Sequence, residues 1–143
     1  MLHTINLVKL SVGTKSVEGL TEWQASPMAQ TPDGFPRHIT RMWPKREAEL
    51  TNGGSIYWII KGTLLCRQTV LRLDEVIGPD GIRRCAIVSD PKLIRVAATP
   101  RRAFQGWRYL EPAAAPPDLG ETRQHEEILP HALQIALADI GIL

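Results

Sequence analysis

Short runs of alternating apolar and polar residues, closely spaced turn signals between them and a helical pattern near each end predict an α+β chain. The expected form is a small antiparallel or mixed β-barrel of about six strands with a helix near each end. The 143 residues suit a single domain over 1–143, in which 113–128 is a linker or surface loop leading to a C-terminal helix. At 43% hydrophobic and 22% charged, the chain has the composition of an ordinary soluble domain that can bury a core without staples.

Residues 2–12 are apolar and β-prone. They read as a first strand rather than a signal peptide, because a basic n-region, a long h-region and a small-residue cleavage site are all missing. Ser16 is then an N-cap, with Glu18 in the first turn, where the helix dipole favours an acid. Val17, Leu20, Trp23 and Gln24 follow at helical spacing, and the helix should end near Ser26, before Pro27. Pro27, Pro32, Asp33, Gly34 and Pro36 make 27–36 a loop.

Residues 37–43 form a strand that Pro44 stops by removing a ladder donor, and 45–50 make one or two helical turns. In 55–60, Ile56, Trp58 and Ile60 face one way and Ser55, Tyr57 and Ile59 the other, with Gly62 marking a bend or bulge. Residues 63–77 are a long strand, Gly78-Pro79-Asp80-Gly81 a turn, and 82–88 the returning strand. A turn centred between Pro79 and Asp80 sets Ile77 opposite Ile82 and Cys85 opposite Asp74. Ser89-Asp90-Pro91 leads to a strand over 93–98, and 104–110 follows Pro100. The run Ala113 to Pro117 is rigid and extended, and 118–128 is polar and acidic. The last helix starts near Pro130, buries Leu133, Ala136, Leu137 and Ile140, and stops at Gly141.

Cys66 and Cys85 have no CxxC spacing. The predicted register puts them about 26 Å apart along the strand, whereas a bridge needs Cα atoms within about 7 Å. Two free core thiols, no zinc site and a reducing cytoplasm are expected. No apolar run approaches the roughly 20 residues that span a bilayer, so no membrane partner is expected.

Charge is the strongest functional signal. The segment from Arg37 to Arg108 holds 14 of the 17 Lys and Arg but only 6 of the 15 Asp and Glu. That segment is +8 and the flanks are −6, a split that the overall +2 conceals. With Trp43, Tyr57, Trp58, Trp107 and Tyr109 inside it, the segment suits an anionic partner, RNA or another polyanion.

Three runs carry the candidates. In the first, Arg41, Trp43, Lys45 and Arg46 offer phosphate contacts beside an indole that a base would stack on, with Arg41 and Trp43 on one strand face. In the second, Trp58 reads as core, while Lys61, Arg67 and Gln68 are available to a ligand, Arg67 and Gln68 as readers of a base edge. In the third, Arg101, Arg102, Gln105, Trp107 and Arg108 form the densest basic and aromatic run. Each run also has a structural reading, with the aromatics buried and the cations solvated or paired.

Catalytic signals are poor. His3, His38, His125 and His131 show no HExxH or paired spacing, and His38 reads as a surface histidine. No GxSxG, Walker loop or GxGxxG occurs, so no catalytic residue, cofactor or metal is assigned.

The runs "TRMWPKR" (40–46), "GGSIYWIIKG" (53–62) with Arg67 and Gln68, and "PRRAFQGWRYL" (100–110) resemble an uncharacterised bacterial family, DUF1489. So do "NLVKLSVG" near the start and "GPDGIRRC" in the turn. The resemblance covers essentially the whole chain and implies no substrate. A coarser resemblance, in strand content, a basic face and the "YW-I-K-G" strand, is to the PUA-like β-barrels that include ASCH and EVE domains, although the GxKxxExR pattern of the ASCH type is missing. It implies binding of RNA or modified bases. The leading expectation is thus an RNA-binding module. The alternatives are a protein-interaction or assembly factor, and an enzyme acting on a phosphorylated small molecule or nucleotide.

Overall fold

The structure is a computed structural model and describes residues 3–119. Strand β1 (Asn6–Leu10) leads to helix α1 (Val17–Gln24), a 3-10 turn (Pro27–Ala29), strand β2 (Arg37–Thr40) and the single-turn helix α2 (Glu47–Leu50). Strands β3 (Ser55–Ile60), β4 (Thr63–Ile77), β5 (Arg83–Ser89), β6 (Ile94–Pro100) and β7 (Trp107–Leu110) follow. They build one mixed sheet in the order β2-β5-β4-β3-β1-β7, with β6 pairing on β4 off this path. The sheet does not close, so the expected six-stranded barrel is replaced by an open seven-stranded sheet. Strand β7 pairs antiparallel with β1, while β1 runs parallel to β3.

Local chemistry explains the elements. Ser16 caps α1 by accepting the Gly19 N–H at 2.9 Å. Lys61 and Gly62 both have positive φ, 51° and 78°, the geometry that joins two strands through a two-residue turn. Gly62 thus marks the expected bend, and a bulge lies within β3 and β4, where Trp58 faces Cys66 but Ile59 faces Leu64, leaving Leu65 as an extra residue. A second register shift falls between Val70 and Arg72. Strand β2 ends at Thr40, short of Pro44, so strand parity no longer relates Arg41 to Trp43.

The β4–β5 register also differs by one residue from the expected one. Ile77 pairs with Arg83 and Glu75 with Cys85. Gly81, at φ 76°, closes the turn onto the Gly78 carbonyl and adds one residue to the loop. The predicted C-terminal helix and most of 118–128 lie outside the described residues. Among the described residues, no helix is long and apolar enough to cross a membrane.

Every residue of β3 is buried, because both faces of the sheet are covered. On one face Ile5, Leu7, Ile56, Trp58, Ile60, Val70 and Ile87 pack with Val17 and Leu20 of α1 and with Leu50 of α2. On the other, Val8, Tyr57, Ile59, Leu64, Val96 and Leu110 pack beneath Phe104 and Ala115. Cys66 and Cys85 are both free and buried, and burial pushes each thiol up to about 12.

Candidate functional site

Beside the first of these cores the packing stops short and leaves a cavity of about 240 Å³. Strand β1 and the turn after it contribute Lys9, Ser11 and Thr14; α1 contributes Leu20, Trp23 and Gln24. Arg37 and His38 come from β2, Trp58 and Gln68 form part of the lining from β3 and β4, and Ser89 ends β5. Among the described residues the lining contains no carboxylate.

Lys9 is there because it shares strand parity with Ile5 and Leu7 and so points inward, next to Trp58 in the β1–β3 register. It is only 8% exposed, and burial lowers its pKa. No described residue forms an ion pair or side-chain hydrogen bond with it, and Arg37 also lacks a carboxylate partner. The Arg37 Nε is buried with no hydrogen-bond partner. His38 stands edge-on to the Trp58 indole, with ring centroids 6.0 Å apart at 88°. Burial first, and the Lys9 charge second, lower its pKa to about 4, so the imidazole is neutral at pH 7. This corrects the expectation of a surface histidine: pairing of β2 with β5 sets the ring against the sheet.

Gln68 is fully buried and saturated. Its Oε1 accepts from Trp58 Nε1 and from Gln24 Nε2, each at 2.8 Å, while its Nε2 donates to Gln24 Oε1 at 2.8 Å and to the Asp90 carbonyl at 3.0 Å. It holds the cavity together and has no free group for a base edge. Trp23 sits at the opening and is 52% exposed, instead of contributing to the buried stripe of α1.

The family described as protein of unknown function (DUF1489) matches residues 7–143. The chain belongs to this family. No curated protein and no solved structure matches it.

The matched span of this DUF1489 chain includes the cavity residues and all the sequence-predicted candidates, which the fold divides into four groups. Gln68 and Trp107 are interior: Trp107 is 6% exposed and its indole donates to the Met42 carbonyl at 2.8 Å. Both are corrected from surface readers to packing residues, since their strand faces point into the core. Trp43 is half-buried, its indole faces Glu47 Oε1 at 3.3 Å, and the Arg83 guanidinium covers its ring at 4.3 Å. Two arginines are engaged within the chain. Arg46 pairs with Glu49 at 2.6 Å and with Glu111 at 3.6 Å, and Arg67 grips Asp118 at 2.7 Å. The remaining six, Arg41, Lys45, Lys61, Arg101, Arg102 and Arg108, have no carboxylate partner among the described residues, and Gln105 is exposed beside them.

Sequence reasoning missed Lys9, Arg37, His38 and Trp23 as a group. One signal was available: a lysine at the third inward position of an apolar strand.

Proposed function

We propose that this DUF1489 protein binds nucleic acid, RNA in preference to DNA, along a basic band that passes the opening of the cavity. The observation that carries the reading is a run of neighbouring cations without carboxylate partners among the described residues. The Arg101 N–H bonds the Gly62 carbonyl at 2.9 Å, which sets Lys61 beside Arg101 and Arg102. The guanidiniums of Arg101 and Arg108 lie 5.7 Å and 4.3 Å from the centre of the Phe104 ring. The Trp107 bond to Met42 then joins this loop to the one that carries Arg41 and Lys45. A shallow depression lined by Lys9, Val12, Phe104 and Gln105 connects the band to the cavity side of β1.

Cations in such a row suit a phosphate backbone, and Trp23 at the opening suits an unstacked base, which single-stranded RNA presents. A PUA-like fold, the finer reading of the sheet, carries the same expectation, because members of that superfamily commonly bind RNA or modified bases. Cytoplasmic residence goes with this reading, and the unbridged Cys66 and Cys85 suit a reducing compartment.

The test is fluorescence anisotropy with unphosphorylated single-stranded RNA over a salt series, for the protein and for the Arg101→Ala/Arg102→Ala double variant. Affinity should fall steeply with salt, and the double variant should flatten the log–log slope by about 1.4, from about 0.7 per lost phosphate contact. Absence of binding at low salt, or an affinity indifferent to salt, overturns the reading.

A further inference from the structure

We propose that the cavity between β1, α1 and β2 is a binding site for a nucleoside monophosphate group, the phosphate held by Lys9 and Arg37 and the base received at Trp23. The inference rests on the RNA-binding reading only where the phosphate belongs to an RNA end; the site itself stands on the cavity.

The cations come first. A lysine 92% removed from solvent and an arginine whose Nε is buried and unbonded, both lining one cavity, are costly unless something anionic completes them. Among the described residues the lining has no acid to do so. Two uncompensated positive charges match a phosphate monoester, which carries about −1.5 to −2 at neutral pH, better than a carboxylate, which would leave one cation unpaired. The guanidinium fork is suited to two phosphate oxygens at once, and the ammonium serves as a point charge.

The neutral groups agree. Ser89 Oγ lines the same space with no side-chain partner among the described residues, and the Gln24 amide, tied to Gln68 on one edge, keeps donor and acceptor capacity. His38 contributes a neutral ring with no carboxylate among the described lining residues to orient it.

Size and shape set the rest of the ligand. A space of about 240 Å³ falls below the roughly 300–1,000 Å³ of sites for drug-sized molecules, so it takes one nucleotide unit rather than a stacked pair. The half-exposed Trp23 indole offers a stacking plane at the opening, which every base can use. The same chemistry is supplied by a free mononucleotide or by the phosphorylated end of an RNA chain.

The experiment is calorimetric titration of the full chain with a nucleoside monophosphate, the matching nucleoside and inorganic phosphate, then with short RNAs that are 5′-phosphorylated, 3′-phosphorylated or unphosphorylated. The mononucleotide should saturate one site and bind at least about tenfold tighter than nucleoside or phosphate alone. If an RNA end is the natural source, one phosphorylated RNA should exceed its unphosphorylated twin by a similar factor; if the free nucleotide is, that increment is missing while the mononucleotide still binds. Lys9→Met and Arg37→Met should each weaken mononucleotide binding on the order of tenfold to a hundredfold. Thermal melting establishes that both variants are folded, and NMR of the wild-type His38 imidazole should show its pKa rising from about 4 on ligand addition, without recourse to any variant. Failure of both the mononucleotide and the phosphorylated RNAs to bind above the unphosphorylated control overturns the proposal, as does binding that both folded variants retain in full. Unphosphorylated RNA reports on the basic band alone and the mononucleotide on the cavity alone, so either reading can fail without the other.

Discussion

Replacing Gln68 by Leu removes a buried amide that four hydrogen bonds saturate, while nearly conserving volume. Three groups lose their partner. The Trp58 indole N–H lies in a residue only 6% exposed, so it bears most of a buried orphan's penalty, about 2 kcal/mol. The Asp90 carbonyl, at a half-exposed turn, adds about 1 kcal/mol. The Gln24 amide faces the cavity and rehydrates at little cost. The greater apolarity of Leu offsets about 1 kcal/mol, leaving a net loss of about 2 kcal/mol. With a urea m-value of about 1–3 kcal/mol/M, the unfolding midpoint should drop by about 1 M. The decisive assay is a double-mutant cycle with Trp58→Phe. In that background no indole N–H is left to orphan, so the Gln68→Leu penalty should shrink by about 1–2 kcal/mol. An equal penalty in both backgrounds would refute the claim that Gln68 stabilises the chain chiefly by satisfying Trp58.

Three further outcomes follow from the same geometry. A Cβ at Gly54 would overlap the backbone carbonyl oxygens of both Ile5 and Leu50, so Gly54→Ala should cost about 3 kcal/mol or more in urea unfolding. The His38 pKa is lowered on folding from 6.5 to about 4, so the unfolded chain binds more protons between those values. Its contribution is complete above about pH 6.5 and is lost as pH falls toward 4, up to about 3 kcal/mol, and His38→Gln should flatten that part of the stability–pH curve. Lys61 adopts φ 51°, which Asn tolerates better, so Lys61→Asn should raise stability by about 0.5 kcal/mol in thermal melting while reducing the RNA salt slope by about 0.7.

Local signals were legible where they acted locally. The Ser16 cap, the alternation in β3 and the full extent of β4 follow from nearest-neighbour chemistry and appear as expected. The β4–β5 register did not, because one left-handed Gly81 adds a residue that no pattern of apolar positions reveals. The charge split was real in sequence but misleading in space: Arg72, Arg83 and Arg84 are matched by Asp33, Asp74, Glu75 and Asp80, so much of the positive segment is neutralised by near neighbours and by folded-back loops. The cavity was illegible for a different reason. Lys9 meets Trp58 only through a parallel pairing, and His38 meets it only once β2 has joined β5. Neither pairing leaves a mark in the local sequence.

The place of β1 between β3 and β7 has a consequence for how the chain assembles. Its two neighbours, β3 and β7, come from the middle of the chain and from near the end of the described residues, so β1 waits on one edge for Ser55–Ile60 and on the other for Trp107–Leu110. Pairings of such long sequence separation form slowly. During synthesis, a chain that has emerged through Ser89 already owns every residue that lines the cavity, yet one flank of β1 is still bare. Only the arrival of β7 covers that flank and brings Arg101, Arg102 and Arg108 alongside. The same late pairing therefore completes the hydrogen bonding of the strand that carries Lys9 and sets the basic run of Arg101 to Arg108 against it.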